Sequence, residues 1–329
     1  MEQPYRVNAL IIKIVGMLPG ASAEYTSPSM NVKPIKKYRL QFTSISQKYL
    51  IFAGMNPLKK ISTLFKLLRQ ERQYRLRLEF VLTDYCNLNC KGCTHYAPVA
   101  PKEFEELELL RQEMSHLGNV CGSEVRECYL IGGETLLYPH LTEAMTMLRR
   151  YFPTQKLSIF TNGLLIPRMS DEFWQLAREL DFHVVITIYP VKADYDAIIA
   201  LCKEKGVKTG VYGDRSQQDS FFRFPLSPVK LRHNRKIHLS CFNRGCMSVI
   251  GGYIYPCSIS GCVSHLNRAF GTDFRHEEGD RLKVSEIGSA KEILRLYTRP
   301  VPFCGYCRKY QPADYGISRR EASEWIDEE

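Results

Sequence analysis

Residues 78–93 read Leu78-Glu79-Phe80-Val81-Leu82-Thr83-Asp84-Tyr85-Cys86-Asn87-Leu88-Asn89-Cys90-Lys91-Gly92-Cys93. The first six form a short apolar run of strand character that passes straight into a loop with C-x3-C-x2-C spacing. Three thiolates on one short loop can converge on three irons of a cubane and leave the fourth iron without a protein ligand. Structural zinc wants four ligands with C-x2-C pairs, so it fits this loop poorly. Three thiols so close together would also be unusual as plain core packing.

From this stretch outward the pattern alternates. Strands are expected at Leu78–Thr83, Glu127–Ile131, Leu157–Thr161, His183–Tyr189 and Val207–Tyr212, with helices at Glu103–Leu117, His140–Tyr151, Ser170–Leu180 and Tyr195–Lys205 between them. Ser170 suits an N-cap and Gly206 a C-terminal stop. Such alternation predicts an α/β fold with a parallel sheet or barrel and helices outside. In such folds the chemistry sits at the carboxyl ends of the strands, which is where the cysteine loop falls. After about Arg215 the alternation ends. Ser248–Ile250 and Tyr253–Tyr255 flank Gly251-Gly252, a two-residue hairpin turn, and a Ser289-capped helix runs to about Thr298.

The cysteine loop resembles the hallmark of the radical S-adenosylmethionine superfamily. That resemblance implies a partial (β/α)6 barrel, a [4Fe–4S] cluster on Cys86, Cys90 and Cys93, and S-adenosylmethionine on its open iron. Gly92 departs from the family, many of whose members carry an aromatic residue before the last cysteine. Gly132-Gly133-Glu134 matches the family's GGE, which binds the methionine amino group, and Thr135 stands where proline often follows. Asn162, in Thr161-Asn162-Gly163, and Thr187, near Tyr189, fall where members hold the rest of the cofactor. Thr187 equally suits a β-branched core position.

A second set of cysteines lies further along. The C-x10-G-x4-C hairpin from Cys241 to Cys257, closed by Cys304-Gly305-Tyr306-Cys307, resembles the twitch form of the SPASM-type auxiliary domain, which implies a second [4Fe–4S] cluster. Zinc on the same four thiolates is the alternative. Cys246 competes with Cys241 for the first ligand position. Cys246 and Cys262 are also the candidate catalytic residues, as hydrogen-atom donors, whereas Cys121, Cys128 and Cys202 read as core. Asp84, Tyr85 and His95 flank the cluster loop. Phe221-Phe222-Arg223-Phe224-Pro225 reads as an apolar lid or filler.

The expected organisation is a basic N-terminal extension (1–75), the partial barrel (76–236), a small α+β auxiliary-cluster domain (237–310) and a C-terminal tail (311–329). The net charge of +10 belongs wholly to residues 1–75, which hold 13 Lys and Arg against three Glu, while the rest balances at 32 each. An amphipathic helix at Leu58–Arg75 suits a packed subdomain with a solvated basic surface. An anionic partner and a membrane surface are the alternatives, and no base-reading motif points to nucleic acid. Hydrophobic content of 44% excludes a disordered chain, and no apolar run approaches the ~20 residues of a membrane span. Residues 9–23 imitate a signal peptide, but Lys13 breaks the apolar stretch, so a cytoplasmic protein is expected, its clustered cysteines serving as metal ligands.

The expected activity is reductive cleavage of S-adenosylmethionine and hydrogen abstraction from a substrate. A peptide or protein is the first expectation, and a carbohydrate or aminoglycoside-like molecule the second. A reductant such as flavodoxin or ferredoxin is the implied partner. The rival class is a non-catalytic electron carrier or zinc scaffold, which would have no use for Gly132-Gly133-Glu134.

Overall fold

The strand ahead of the three cysteines, β1 (Leu76–Val81), lies inside an eight-stranded sheet. The computed structural model describes residues 76–213, 221–231, 235–243 and 245–327. The expectations for residues 1–75, including the basic helix at Leu58–Arg75, lie outside them. Next to β1 come β2 (Val125–Ile131), β3 (Lys156–Thr161), β4 (Phe182–Thr187) and β5 (Lys208–Tyr212), each parallel to its neighbour. The intervening helices are α1 (Leu107–Cys121), α2 (Leu141–Tyr151), α3 (Asp171–Glu179) and α4 (Tyr195–Glu204).

Helix and strand periods explain which side is buried. Leu110, Met114, Leu117 and Cys121 recur at helical spacing on α1, and they share one core with Leu78, Phe80, Leu130, Leu157, Ile159 and Val184 from alternate strand positions. The other face of the sheet is polar and aromatic. It carries Arg77 over the Tyr129 ring, Glu79, Ser158 and Phe160. Local signals act as the sequence suggests at two ends: the Ser170 hydroxyl accepts from Phe173 N–H, and Gly206, just past α4, takes φ +71°. Helix α1 starts later than expected. The Glu103 carbonyl accepts from the Thr83 hydroxyl and Glu105 N–H donates to the Leu82 carbonyl, so these residues are pinned to the end of β1 and cannot join a helix.

The sixth parallel strand is not where a (β/α)6 run would put it. After β5 the chain forms β6 (Phe221–Arg223), which leaves the sheet. Then β7 (Met247–Ile250) pairs parallel with the opposite side of β1, followed by antiparallel β8 (Tyr253–Tyr255) and β9 (Leu282–Lys283). The sheet order is β5-β4-β3-β2-β1-β7-β8-β9, so segments 76–236 and 237–310 share one sheet. The hairpin turn is as the two glycines predict. Gly251 and Gly252 both have positive φ, +56° and +84°, and their N–H groups donate to Glu105 and Glu113. Around the hairpin lie α5 (Arg235–Ser240), α6 (Ser258–Gly261), α7 (Ser264–Phe270) and α8 (Ala290–Thr298). At α8 the Ser289 hydroxyl donates to the Glu292 carboxylate rather than capping a backbone N–H.

The C-terminal segment is more than a tail. β10 (Gln311–Ala313) pairs with β6, and Arg223 donates to the carbonyls of Ser323, Glu324 and Ile326. Trp325 is 1% exposed and packs against Tyr96 and Phe270. The Phe221–Pro225 stretch is thus the strand on which the C-terminal segment docks. Among the described residues no helix is long and apolar enough to cross a membrane.

Candidate functional site

The loop after β1 gathers Cys86, Cys90 and Cys93 at the carboxyl end of the sheet. The three thiols are near enough that each of Cys90 and Cys93 acts on Cys86, and Cys93 on Cys90. Burial pushes the Cys86 and Cys90 thiols up to about 12, and it raises Cys93 too. Donors are already aimed at sulfur: Leu88 N–H lies 3.3 Å from Cys86 Sγ, and the N–H groups of Ala97, His95 and Tyr96 serve Cys93. Buried thiols that stay protonated alone, ringed by backbone donors, suit a cation that displaces their protons. On this donor set the three residues fit an iron–sulfur cluster with one open iron.

The glycines of Gly132-Gly133-Glu134 are needed by the protein itself. A Cβ on Gly132 would run into the Thr83 carbonyl, and one on Gly133 into the carbonyls of Asp84 and Tyr85. Gly133 N–H donates to the Thr83 carbonyl and Glu134 N–H to that of Tyr85. The paired glycines therefore let the cysteine loop lie directly across the end of β2. The Glu134 carboxylate is also committed inside the protein. It is 1% exposed and accepts from Leu136 N–H, the Thr161 hydroxyl and Asn162 N–H. Burial raises its pKa in spite of these bonds. The carboxylate thus ties β2 to β3. Thr135 costs no rigidity, because its buried hydroxyl donates to the Phe160 carbonyl at 2.6 Å.

Asn162 does reach the cysteine loop, donating to Asn87 Oδ1 at 2.7 Å with Cys86 Sγ 3.9 Å away. Thr187 ends β4, half-buried and paired in register with Tyr212. Tyr189 stands closer to the chemistry. Burial, then Cys90, Cys93, Cys86 and Glu134, raises its pKa well above the ordinary value.

Two contributors had no sequence signal beyond an aromatic residue near the chain end. The Tyr315 hydroxyl lies 3.7 Å from Cys90 Sγ, and its ring packs on Tyr189 and Phe221. The Trp325 indole N–H donates to the Cys93 carbonyl at 3.0 Å. Between them, Lys91 N–H bonds the Gly316 carbonyl and Ser318 N–H the Asn89 carbonyl, so the C-terminal segment pairs with the loop. Gly92 has φ +70°, a region that disfavours an aromatic side chain, and it faces this segment.

Asp84 is the hub of a second polar group. Its Oδ1 accepts from His95 Nδ1 at 2.9 Å and its Oδ2 from His265 Nε2 at 2.8 Å, while the Cys262 thiol lies 3.4 Å from Oδ1. Burial works against ionisation, but the bonds from His265 and His95 outweigh it and hold the Asp84 carboxyl well below the usual carboxylate range. Tyr85 lies under the Lys102 ammonium.

Cys241, Cys257, Cys304 and Cys307 also come together. Cys257 feels Cys307, Cys241 and Cys304; Cys304 and Cys307 both feel Cys241. Cys246 is placed differently: its thiol hydrogen-bonds the Glu79 carboxylate beside Arg77, and Cys257, of the four, acts on it. Cys121, Cys128 and Cys202 are fully buried in the core.

A parallel α/β sheet with a three-thiol loop at the carboxyl end of β1 is an architecture suited to metal binding. Residues 80–199 match the model of the Radical SAM superfamily. The chain is similar to the GTP 3',8-cyclase of Alkaliphilus oremlandii (strain OhILAs), 26% identical over 101 residues that make up 30% of this chain and 32% of that protein. It thus spans about a third of that relative's length. Among solved structures it is similar to BtrN in complex with AdoMet and 2-DOIA (16% identity, 70% of this chain and 92% of that one, TM-score 0.41). It is also similar to native anSMEcpe with bound AdoMet (20% identity, 41% and 43%, TM-score 0.34).

Proposed function

We propose that the protein is a radical enzyme that cleaves S-adenosylmethionine reductively and abstracts a hydrogen atom from a substrate, with a second iron–sulfur cluster on Cys241, Cys257, Cys304 and Cys307. The observation that carries this is the three thiols of one loop, Cys90 buried and Cys86 and Cys93 half-buried, held across the ends of β2 and β3 by Gly132, Gly133 and Asn162. Cys86, Cys90 and Cys93 would hold the first cluster, which would supply the electron for reductive cleavage of the sulfonium.

The protein's own residues do the rest. Leu88, His95, Tyr96 and Ala97 donate to ligand sulfurs, while Tyr315 and Trp325 hold the loop from the C-terminal side. Water is kept away by the same packing, Trp325 being almost fully buried. The polar face of the sheet, with Arg77, Glu79 and Tyr129, is the wall available to a polar substrate. A peptide or protein substrate is the reading we carry forward, with Cys246 and Cys262 as thiols able to return a hydrogen atom.

The test is anaerobic reconstitution with a strong reductant, followed by measurement of 5′-deoxyadenosine. Production of 5′-deoxyadenosine and methionine supports the reading, and full turnover by a Cys90→Ala protein overturns it. Isotope transfer from deuterated peptides into 5′-deoxyadenosine, against the same assay with aminosugars, identifies the substrate class.

A further inference from the structure

Asp84, His95, Cys262 and His265 come from two distant parts of the chain, Asp84 and His265 being 181 positions apart. All four are withdrawn from water: Cys262 is 1% exposed, His95 and His265 are 9% exposed, and the Asp84 side chain is 13% exposed. None belongs to either cysteine set. Asp84 leaves β1, His95 ends the cysteine loop, and Cys262 and His265 sit at the junction of α6 and α7. The Tyr96 hydroxyl, donating to the Ile259 carbonyl, ties the same two segments together.

The three inner atoms make a compact triangle. Asp84 Oδ1 lies 2.9 Å from His95 Nδ1 and 3.4 Å from Cys262 Sγ, and His95 Nδ1 lies 3.8 Å from Cys262 Sγ. A circle through them has a radius of about 2.0 Å, so an ion at or just above its centre meets zinc's distances of ~2.0 Å to nitrogen and oxygen and ~2.3 Å to sulfur. Mixed carboxylate, imidazole and thiolate donors suit zinc better than a hard cation. The support behind the triangle is that of a metal site. His265 Nε2 holds the far oxygen of Asp84, as ligating carboxylates are held by outer hydrogen bonds, and His265 Nδ1 is buried with no partner of its own.

We propose that Asp84 Oδ1, His95 Nδ1 and Cys262 Sγ form a mononuclear zinc site that rivets the cysteine loop to the α6–α7 junction, with His265 as a positioning residue. On binding, the Cys262 thiol gives its proton to solvent, and His95 gives up the Nδ1 proton that faces Asp84 and carries one on Nε2 instead, so that Nδ1 offers its lone pair. Three protein ligands leave a fourth position for a water. The site needs no substrate, and because a zinc-bound thiolate has no S–H hydrogen to give, it leaves Cys246 as the hydrogen-atom donor of the two candidate thiols.

The experiment uses the full chain, produced in zinc-containing medium and reconstituted with iron anaerobically. Elemental analysis is expected to find about one zinc per chain in addition to iron. X-ray absorption at the zinc edge is expected to give one sulfur at ~2.3 Å and three nitrogen or oxygen neighbours at ~2.0 Å. Cys262→Ala should lose the zinc and keep its iron, whereas a Cys304→Ala, Cys307→Ala double variant should keep the zinc. His265→Phe should weaken zinc 10- to 100-fold against a chromogenic chelator. Zinc below one-tenth per chain overturns the proposal, as does a shell of sulfur alone or zinc unchanged in Cys262→Ala. If Cys262→Ala does not fold, the zinc content and absorption edge of the unaltered protein decide.

Discussion

The two cysteine sets are built in opposite ways. Cys86, Cys90 and Cys93 sit on a single loop of eight residues, and the sheet only has to support it. Cys241, Cys257, Cys304 and Cys307 come from a segment after α5, the end of the β7–β8 hairpin and the turn after α8. The first set is therefore close to a property of local sequence. The second exists only once a hairpin has docked on β1 and a distant turn has closed on it. What holds each in place differs accordingly: backbone-to-backbone contact at Gly132 and Gly133 for the first, and side chains such as Glu105 and Glu113 at the hairpin turn for the second.

The largest expected effect breaks the comparison outright. Replacing Cys86, Cys90 and Cys93 together with Ala should abolish 5′-deoxyadenosine formation and lower iron from about eight to about four per chain, since each cubane carries four. Iron analysis beside the turnover assay checks both halves. In the converse experiment, Cys304→Ala with Cys307→Ala should remove about four irons yet leave the electron paramagnetic signal of the first cluster. No loss of iron in that variant would assign the second set to zinc.

Smaller changes sharpen what supports the first set. Trp325→Ala removes a buried indole from beneath the loop and should cost about 3–5 kcal/mol, with faster cluster loss in air. Gly133→Ala places a methyl group against two carbonyls and should cost about 3 kcal/mol, read as a fall in chemical-denaturation midpoint. Gly251→Ala, where a Cβ meets nothing within 4 Å, should cost only the ~1 kcal/mol of its left-handed backbone.

The smallest effect concerns the hairpin. Burial, then Glu105, pushes Glu113 up to about 8, although Gly252 N–H bonds it. Between its ordinary value near 4.5 and 8, the folded chain holds a proton that the unfolded chain has released. Stability from this group therefore falls as pH rises through that window and levels off above it. Glu113→Gln should flatten that part of the profile, so the melting temperatures of the two proteins should diverge by a few degrees between pH 5 and pH 8. Parallel profiles would show that Glu113 ionises normally.

Much of the fold was legible because its signals are local. The alternation of strands and helices, the Ser170 cap, Gly206 and the Gly251-Gly252 turn each depend on a few neighbouring residues, and each falls at or near its expected place. The three-cysteine loop was legible for the same reason. The Gly-Gly-Glu stretch was legible as a motif, but its contact with the cysteine loop was not, because spacing cannot tell a backbone approaching a ligand from one approaching another loop. The Gly92 and Thr135 departures likewise make sense only beside the residues they touch, the C-terminal segment and the Phe160 carbonyl.

By itself, the sequence determined the α/β pattern, the hairpin and the three-thiol loop, since φ preferences, helical and strand periods and a short ligand spacing act within a few residues. Tertiary structure alone decided that β7 joins the free side of β1, that Cys241 rather than Cys246 faces the other three thiols, and that Tyr315 and Trp325 return to the first set. It also decided that Asp84 meets His265 across most of the chain. These pairings depend on which apolar faces and buried polar groups satisfy one another after collapse, and no local run of residues records that choice.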